Sequence, residues 1–385
     1  MAAMFKPIRA VVAAALFTVA TYGLAAEMRG DHPDTYVVKR GDTLWDIAGK
    51  FLQKPWLWPE IWQANPQIAN PHLIYPGDVI SLAYLNRVAV DPGPREEAPI
   101  NAIPLAEIEP FLKNLRVVDS FEEMPYVVGL EEDRLRGAEG QVVYAKGLVA
   151  AQPGQRYAVV RPTVTYTTLD PERCCGISNR RPIDLDYRGH DIAGTEKMWN
   201  HMTPPGGGDF LGHELMQQTV ATVTRGPAGQ SDVTTLLVDD KGREVRAGDR
   251  LIPVEAQPYD LQFIPHPPAQ NLAYGQAKVL GVADAVITGG PRDVVALSVG
   301  SLDGVDNGTV FSTWRVGSTA VDRVAVGNDR SPDAVGAGSK VRLPDEYTSH
   351  LMVFRTFDKV SYALVMDGIR PVQVGQELKH PDAAY

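Results

Sequence analysis

The residue types that do metal or nucleophile chemistry gather in one part of the chain. Cys174, Cys175, His190, His201, His213 and Glu214 fall within a short span. Such residues ligate zinc when three or four of them converge on a tetrahedral ion. The spacing argues against that. "HELM" at 213–216 lacks the second His of H-E-x-x-H, and adjacent cysteines are poor joint ligands for one ion. A Cys nucleophile with a downstream His is a chemical alternative, but no neighbouring motif supports the Cys-Cys doublet. No G-x-S-x-G or S-x-x-K occurs, and the acids are scattered without a readable glycosidase pair. "LDGVDNG" at 302–308 lacks the ligand series and terminal Glu of a calcium loop and reads as a turn. The expectation is no catalytic residue, no metal site and no cofactor.

The elements around these residues are equally uninviting for catalysis. Residues 168–212 are rich in Pro, Gly and polar side chains and read as a long surface loop. From about residue 124 the chain consists of short β-type runs separated by Gly turns: "GQVVYAKGL", "TVATVTR", "TTLLV", "DVVALSV", "HLMVFRTF" and "SYALVM". A loose signature recurs, a Gly and a polar residue leading into an apolar alternation: "QPGQRYAVV", "RAGDRLIPV", "DNGTVFSTW", "GAGSKVRL" and "QVGQELKH". Gly supplies the positive φ that turns into a strand. The repetition predicts two or three small barrel- or sandwich-like units.

At 385 residues the chain has room for two to four units. Its net charge of −10 argues against a general affinity for nucleic acid or anionic membrane. Two adjacent cysteines cannot form a disulfide framework, so buried cores must hold the fold and neither Cys174 nor Cys175 is expected to be structurally essential. Lys6 and Arg9 precede a small-apolar run at 10–20, and "YGLAAE" follows with a cleavable point after Ala25 or Ala26. That pattern predicts a signal peptide over residues 1–26, too short in its apolar part to span a bilayer. With no Cys after the run, no lipid anchor is expected there.

Residues 36–82 have a different texture. Tyr36 to Lys39 alternate as a short strand that breaks at Arg40-Gly41. Thr43 is an N-cap with Asp46 three residues on, and Leu44, Ile47, Ala48 and Phe51 fall on one helical face. "PWLWPEIWQANP" gives a second helix that Asn65-Pro66 ends, and "YPGDVISL" turns into a closing strand. The predicted order is strand, helix, helix, strand. Trp62 and Ile61 are expected in its core; Trp45, Trp56 and Trp58 are open to either core or sugar-stacking roles.

The elements "YVVKRGDTLWDIAGKF", "IWQANPQI" and "NPHLIYPGDVISL" resemble, in order, those of the LysM domain, a peptidoglycan- and chitin-binding module. The resemblance covers residues 35–83, with a stretch at 53–60 longer than in a minimal LysM. It implies a shallow sugar groove between two loops. One would be Gly41, Asp42, Thr43, Leu44 and Trp45. The other would be Asn70, Pro71, His72, Leu73, Ile74 and Tyr75. Loop backbone would meet the amide of N-acetylglucosamine, while Leu44, Ile74 or an aromatic edge packs on the acetyl group and ring. Asp42 is expected to face solvent, and one shallow site implies a binding free energy of roughly 4–7 kcal/mol.

The fold class expected is thus an α+β LysM module followed by a mostly-β region. The divisions are a signal peptide at 1–26, LysM at 35–83, a Pro-rich linker at 84–123, a β-rich region at 124–256 and a second at 257–385. The expected function is non-catalytic tethering of the β-rich region to peptidoglycan glycan strands in the periplasm. The partners to expect are the glycan and, beyond it, another envelope protein, with no nucleic acid and no membrane after signal cleavage. A wall hydrolase targeted by the LysM is the alternative.

Overall fold

The computed structural model describes residues 28–30, 32–68, 71, 74–82, 105–168, 199–202, 208–227, 232–239, 241–254, 263–270, 272–283, 288–322 and 340–383. The N-terminal unit follows the strand-helix-helix-strand order: β1 (Thr35–Val37), α1 (Leu44–Phe51), α2 (Trp58–Gln63) and β2 (Val79–Ser81). Strands β1 and β2 pair antiparallel, Tyr36 opposite Ile80. Such a ribbon is marginal alone. Leu44, Ile47 and Ala48 of α1, Trp58 and Ile61 of α2, and Ile80 of β2 bury the apolar face that stabilises it.

The segment read as a linker is in part structured. Helix α3 (Leu105–Asn114) runs directly into β3 (Leu115–Val118). Ile108, Phe111, Leu112 and Leu115 repeat at i, i+3, i+4 and i+7 and are all buried. That stripe, and not the prolines upstream, decides the fate of residues 105–118.

Next come β4 (Tyr126–Leu130), β5 (Val142–Lys146), β6 (Arg156–Thr167), β7 (Trp199–Met202), β8 (Phe210–Arg225), β9 (Val233–Val238) and β10 (Arg250–Pro253). Antiparallel pairings run β4-β5-β9-β8-β6-β10 and return from β10 to β4, closing a six-stranded barrel. Strand β8 is long enough to serve two neighbours. Its first half pairs with β3 and its second half with β9. Val127, Val143, Val159, Leu236 and Leu251 fill the interior.

The remaining strands are β11 (Val279–Ala283), β12 (Thr288–Gly289), β13 (Val294–Leu297), β14 (Val310–Arg315), β15 (Thr319–Val321), β16 (Lys340–Arg342), β17 (Glu346–Thr356), β18 (Ser361–Gly368), β19 (Val372–Gln373) and β20 (Glu377–Lys379). Six of them run β11-β13-β18-β17-β14-β20. The Lys278–Glu377 bridge and the bond from Leu378 N–H to Ala277 O (2.9 Å) close the ring. β12 pairs with β19 and β15 with β16 as short ribbons.

Numbered from the first barrel strand, both rings have the order 1-2-5-4-3-6. Strands 3, 4 and 5 are neighbours in sequence and strand 6 returns beside strand 3, a Greek key built twice. Four of the five recurrent Gly signatures occupy equivalent turns. Gly154 (φ +90°) and Gly308 (φ +99°) precede strand 3, and Gly248 (φ +94°) and Gly375 (φ +89°) precede strand 6. A side chain at these φ values would be strained, which is why the pattern was visible in sequence. The fifth signature begins at residues outside the described ones.

The stretch read as a long loop contributes two strands. β7 pairs with β11, and β8 begins at Phe210. The rest of that stretch, with Cys174, Cys175 and His190, lies outside the described residues. One apolar cluster joins the N-terminal unit, α3 and the outer faces of both barrels. Phe111 stands 6.4 Å from Phe354 and 6.3 Å from Tyr362, edge to face.

Candidate functional site

The two loops that the sequence singles out are brought together by the β1–β2 ribbon. Val38 N–H donates to Asp78 O and Gly77 N–H to Val38 O, both at 2.9 Å, so the exit from β1 lies against the entry to β2. Gly41, at φ +86°, makes the sharp exit. Thr43 then caps α1: its hydroxyl accepts from Asp46 N–H (3.0 Å), while Asp46 accepts from Thr43 N–H (3.2 Å) and Oγ1 (2.8 Å). On the other side Asp78 closes the second turn by accepting from Tyr75 N–H at 3.0 Å.

The apolar residues expected to touch sugar are elsewhere. Leu44, Trp45 and Ile74 are 1%, 2% and 0% exposed and belong to the core. A unit with two short helices has few other side chains to fill its centre, so the loop aliphatics fold inward. Trp56 and Trp58 are buried as well, and Trp62 is half-buried with its indole N–H on Ile68 O at 2.7 Å. Pro71 is buried. Asn70, His72 and Leu73 lie outside the described residues. What the junction offers to a ligand is the exposed backbone at Gly41 and the half-buried Tyr75 and Pro76.

Asp42 also departs from expectation, since it does not simply face solvent. Its carboxylate accepts from Tyr36 OH (2.8 Å), Lys39 N–H (2.8 Å) and Lys50 Nζ (2.9 Å), and Lys50 also donates to Tyr36 OH (3.0 Å). Burial works against the charge, but the Lys50 ammonium, the Lys39 amide and the Tyr36 hydroxyl outweigh it and hold the carboxyl below the ordinary range. Lys50 is held above its ordinary value in turn, burial being outweighed by Tyr36 and Asp42.

Asn65 organises the unit from the opposite end. Fully buried, it donates to Ile61 O (2.7 Å) and Ser81 O (2.9 Å) and accepts from Ser81 N–H (2.8 Å), tying the end of α2 to β2. In the sequence it reads only as the residue that ends a helix before a proline. The lengthened stretch at 53–60 also has a role. Trp56 packs on His350 of β17, ring centres 4.4 Å apart and planes tilted by 49°, and Lys54 pairs with Asp382 at 2.6 Å. The stretch thus adds to the seat of the unit on the second barrel.

The described residues of the zinc-type set do not assemble. Along β8, His213 and Glu214 point to opposite faces. His213 contacts Thr165 Oγ1 (3.0 Å) and lies between Phe121 and Phe210. Burial lowers its pKa, against the pull of Glu122. Glu214 is sealed where the barrels meet. It accepts from Thr163 (2.8 Å) and Tyr166 (2.5 Å) of β6 and from Tyr362 (2.8 Å) of β18. Burial beside this carboxylate pushes both phenols far above their ordinary pKa. His201 lies on β7. No three His, Cys, Asp or Glu residues approach a common metal position among the described residues.

Residues 36–83 match the LysM domain model, and this segment is a LysM domain. LysM is a peptidoglycan-binding module, so glycan chains of the wall are its ligand class. Over 60 residues the chain is 42% identical to a protein of Bacillus subtilis (strain 168) described as uncharacterized protein YqbP. The match takes in 13% of this chain and 27% of that one. The chain therefore spans about a quarter of that relative's length. No helix among the described residues is long and apolar enough to cross a membrane.

Proposed function

We propose that this is an exported, non-catalytic wall-binding protein in which the LysM domain holds peptidoglycan glycan and the paired barrels form an interaction body carried with it. The observation that supports the reading best is the pair of adjoining turns at 41–43 and 75–78. Most of their N–H groups are spent within the turns, which leaves the exposed Gly41 peptide and a half-buried Tyr75–Pro76 edge beside a core that is otherwise closed. A pyranose amide suits backbone exposed at such an edge. Glu214, the best-buried carboxylate with phenolic partners, has no path to a polymer substrate, and both barrel interiors are packed with side chains.

Export rests on the basic start, the apolar run and the small-residue cleavage point of residues 1–26, and fits a periplasmic place beside the wall. Sequencing the N-terminus of the protein recovered from the envelope checks this; the expected first residue is Ala26 or Glu27. Incubation with dye-labelled sacculi separates tether from hydrolase. Retention on the sacculi with no released dye is the expected result, and soluble labelled fragments would establish the hydrolase instead.

A further inference from the structure

A cavity of about 240 Å³ opens at one end of the second barrel. That is smaller than a drug-sized pocket and suits a single amino acid or sugar ring. Leu272, Phe311 and Leu378 give it apolar walls, and Tyr274, Glu377, Lys379 and His380 give it polar ones. Glu377 is its unusual feature. The residue is 1% exposed; Oε1 accepts from Gly275 N–H, whereas Oε2 has no hydrogen-bond partner. Burial raises the pKa of this carboxyl, against the pull of the Gly275 amide, Lys278 and Lys379. A buried carboxylate oxygen without a donor is costly, and the groups already present do not relieve it.

The other wall is cationic. Lys379 Nζ pairs with Asp345 (2.8 Å), leaving donors to spare, and lies 4.6 Å from the Trp314 ring centre and 5.8 Å from that of Tyr274. Arg342 bonds Tyr274 OH at 2.8 Å from behind. Lys379 opposes a lone cation and Glu377 a lone anion, while Asp345 offsets part of the Lys379 charge.

The first barrel carries a cation at the equivalent position. Arg250 opens strand β10 opposite Val160 and Tyr126, as Glu377 opens β20 opposite Trp314 and Lys278. Arg250 donates to Phe121 O (2.9 Å) and lies over the rings of Phe121 and Tyr126. There the position is occupied by the protein's own cation and aromatics. In the second barrel the equivalent position faces a cavity.

We propose that this cavity binds the zwitterionic head of an α-amino acid, Glu377 taking the ammonium group and Lys379 the carboxylate, with the apolar walls receiving the side chain. The head has two sources, a free amino acid or the free amino-acid centre at the end of a diamino-acid side chain in a wall peptide. The site stands whether or not the LysM domain binds glycan.

The test is calorimetric titration of the full chain with L-leucine, with 3-methylbutylamine, which lacks the carboxylate, and with N-acetyl-L-leucine, which lacks the ammonium. L-leucine should bind and each analogue should be at least about tenfold weaker. Glu377→Gln keeps an acceptor for Gly275 N–H, and should weaken L-leucine by at least about tenfold without lowering the melting temperature. The probe series on the unaltered protein decides the matter even should that variant fail to fold. A tripeptide ending in meso-diaminopimelate, titrated alongside, separates the sources. Tighter binding than L-leucine assigns the wall peptide, weaker binding the free amino acid, and both uphold the site. No heat from any zwitterion at tens of millimolar, or equal affinities for L-leucine and its two analogues, overturns the proposal.

Discussion

At the scale of single residues, the LysM junction separates side chains that hold the loops from surfaces that meet a ligand. Ile74 is a holding residue. Ile74→Ala should cost about 2–4 kcal/mol by leaving a cavity in a small core. Sacculus binding should fall only in step with the unfolded fraction, read from tryptophan fluorescence. Tyr75 is the contrasting position: with the half-buried Tyr75–Pro76 edge as the sugar platform, Tyr75→Ala should weaken binding more than it lowers stability. Asp42 adds a pH dependence. Its folded pKa is depressed, so its contribution is fully present above its unfolded value of about 4 and is lost as pH falls through the lower folded value. Asp42→Asn should therefore cost about 1 kcal/mol at neutral pH, since Lys50 is largely exposed, and should flatten the acid limb of stability. Melting curves of both proteins between neutral pH and about pH 2 check the sign; an equal acid dependence would remove Asp42 as its source.

At the scale of elements, Asn65 replaces a whole set of backbone partners with one amide. Asn65→Ala strands Ser81 N–H and two carbonyls in a buried place, and should cost about 3 kcal/mol or more, enough to melt the module ahead of the barrels. Thr43→Ala, losing one cap, should cost about 1 kcal/mol. Both are measured by chemical denaturation of the full chain followed at the tryptophans. The Thr43 box, the α1 face and the Gly turns into strands were legible because each is a local pattern with its own spacing. Helix α3 carries a helical stripe too, but prolines just upstream and Pro110 within it disguised that signal. The inward turn of Leu44, Trp45 and Ile74 was not legible. A loop aliphatic that contacts a ligand and one that fills a core look alike until the remaining core volume is known. Asp42 was misplaced for a related reason, since Tyr36 and Lys50 reach it only after the strand and helix have packed.

At the scale of the molecule, two of the contacts that join the three bodies can be tested singly. Glu214 carries one of them, taking hydroxyl donors from both barrels at once. Glu214→Ala takes the shared acceptor from Thr163, Tyr166 and Tyr362, whose phenols keep only a long mutual contact of 3.3 Å in its place, and should cost about 3 kcal/mol, lowering the barrel transition as a single unit. Trp56 carries the other. Trp56→Ala should uncouple LysM melting from that of the second barrel, so that calorimetry of the full chain resolves a transition that the unaltered protein does not. A variant that still melted with its barrels coupled to the module would show that Trp56 is not the joint.

The seat of the LysM domain on His350 and Asp382 also gives the molecule a heading. A module hung on a slack cord would grip a glycan and let its cargo swing. Bolted down and bound to glycan as proposed, it would pass the direction of the strand to the barrels behind it, and with that direction the side toward which the mouth beside Glu377 opens. Copies gripping one strand in the same sense would then point the same way, like flags along a single line.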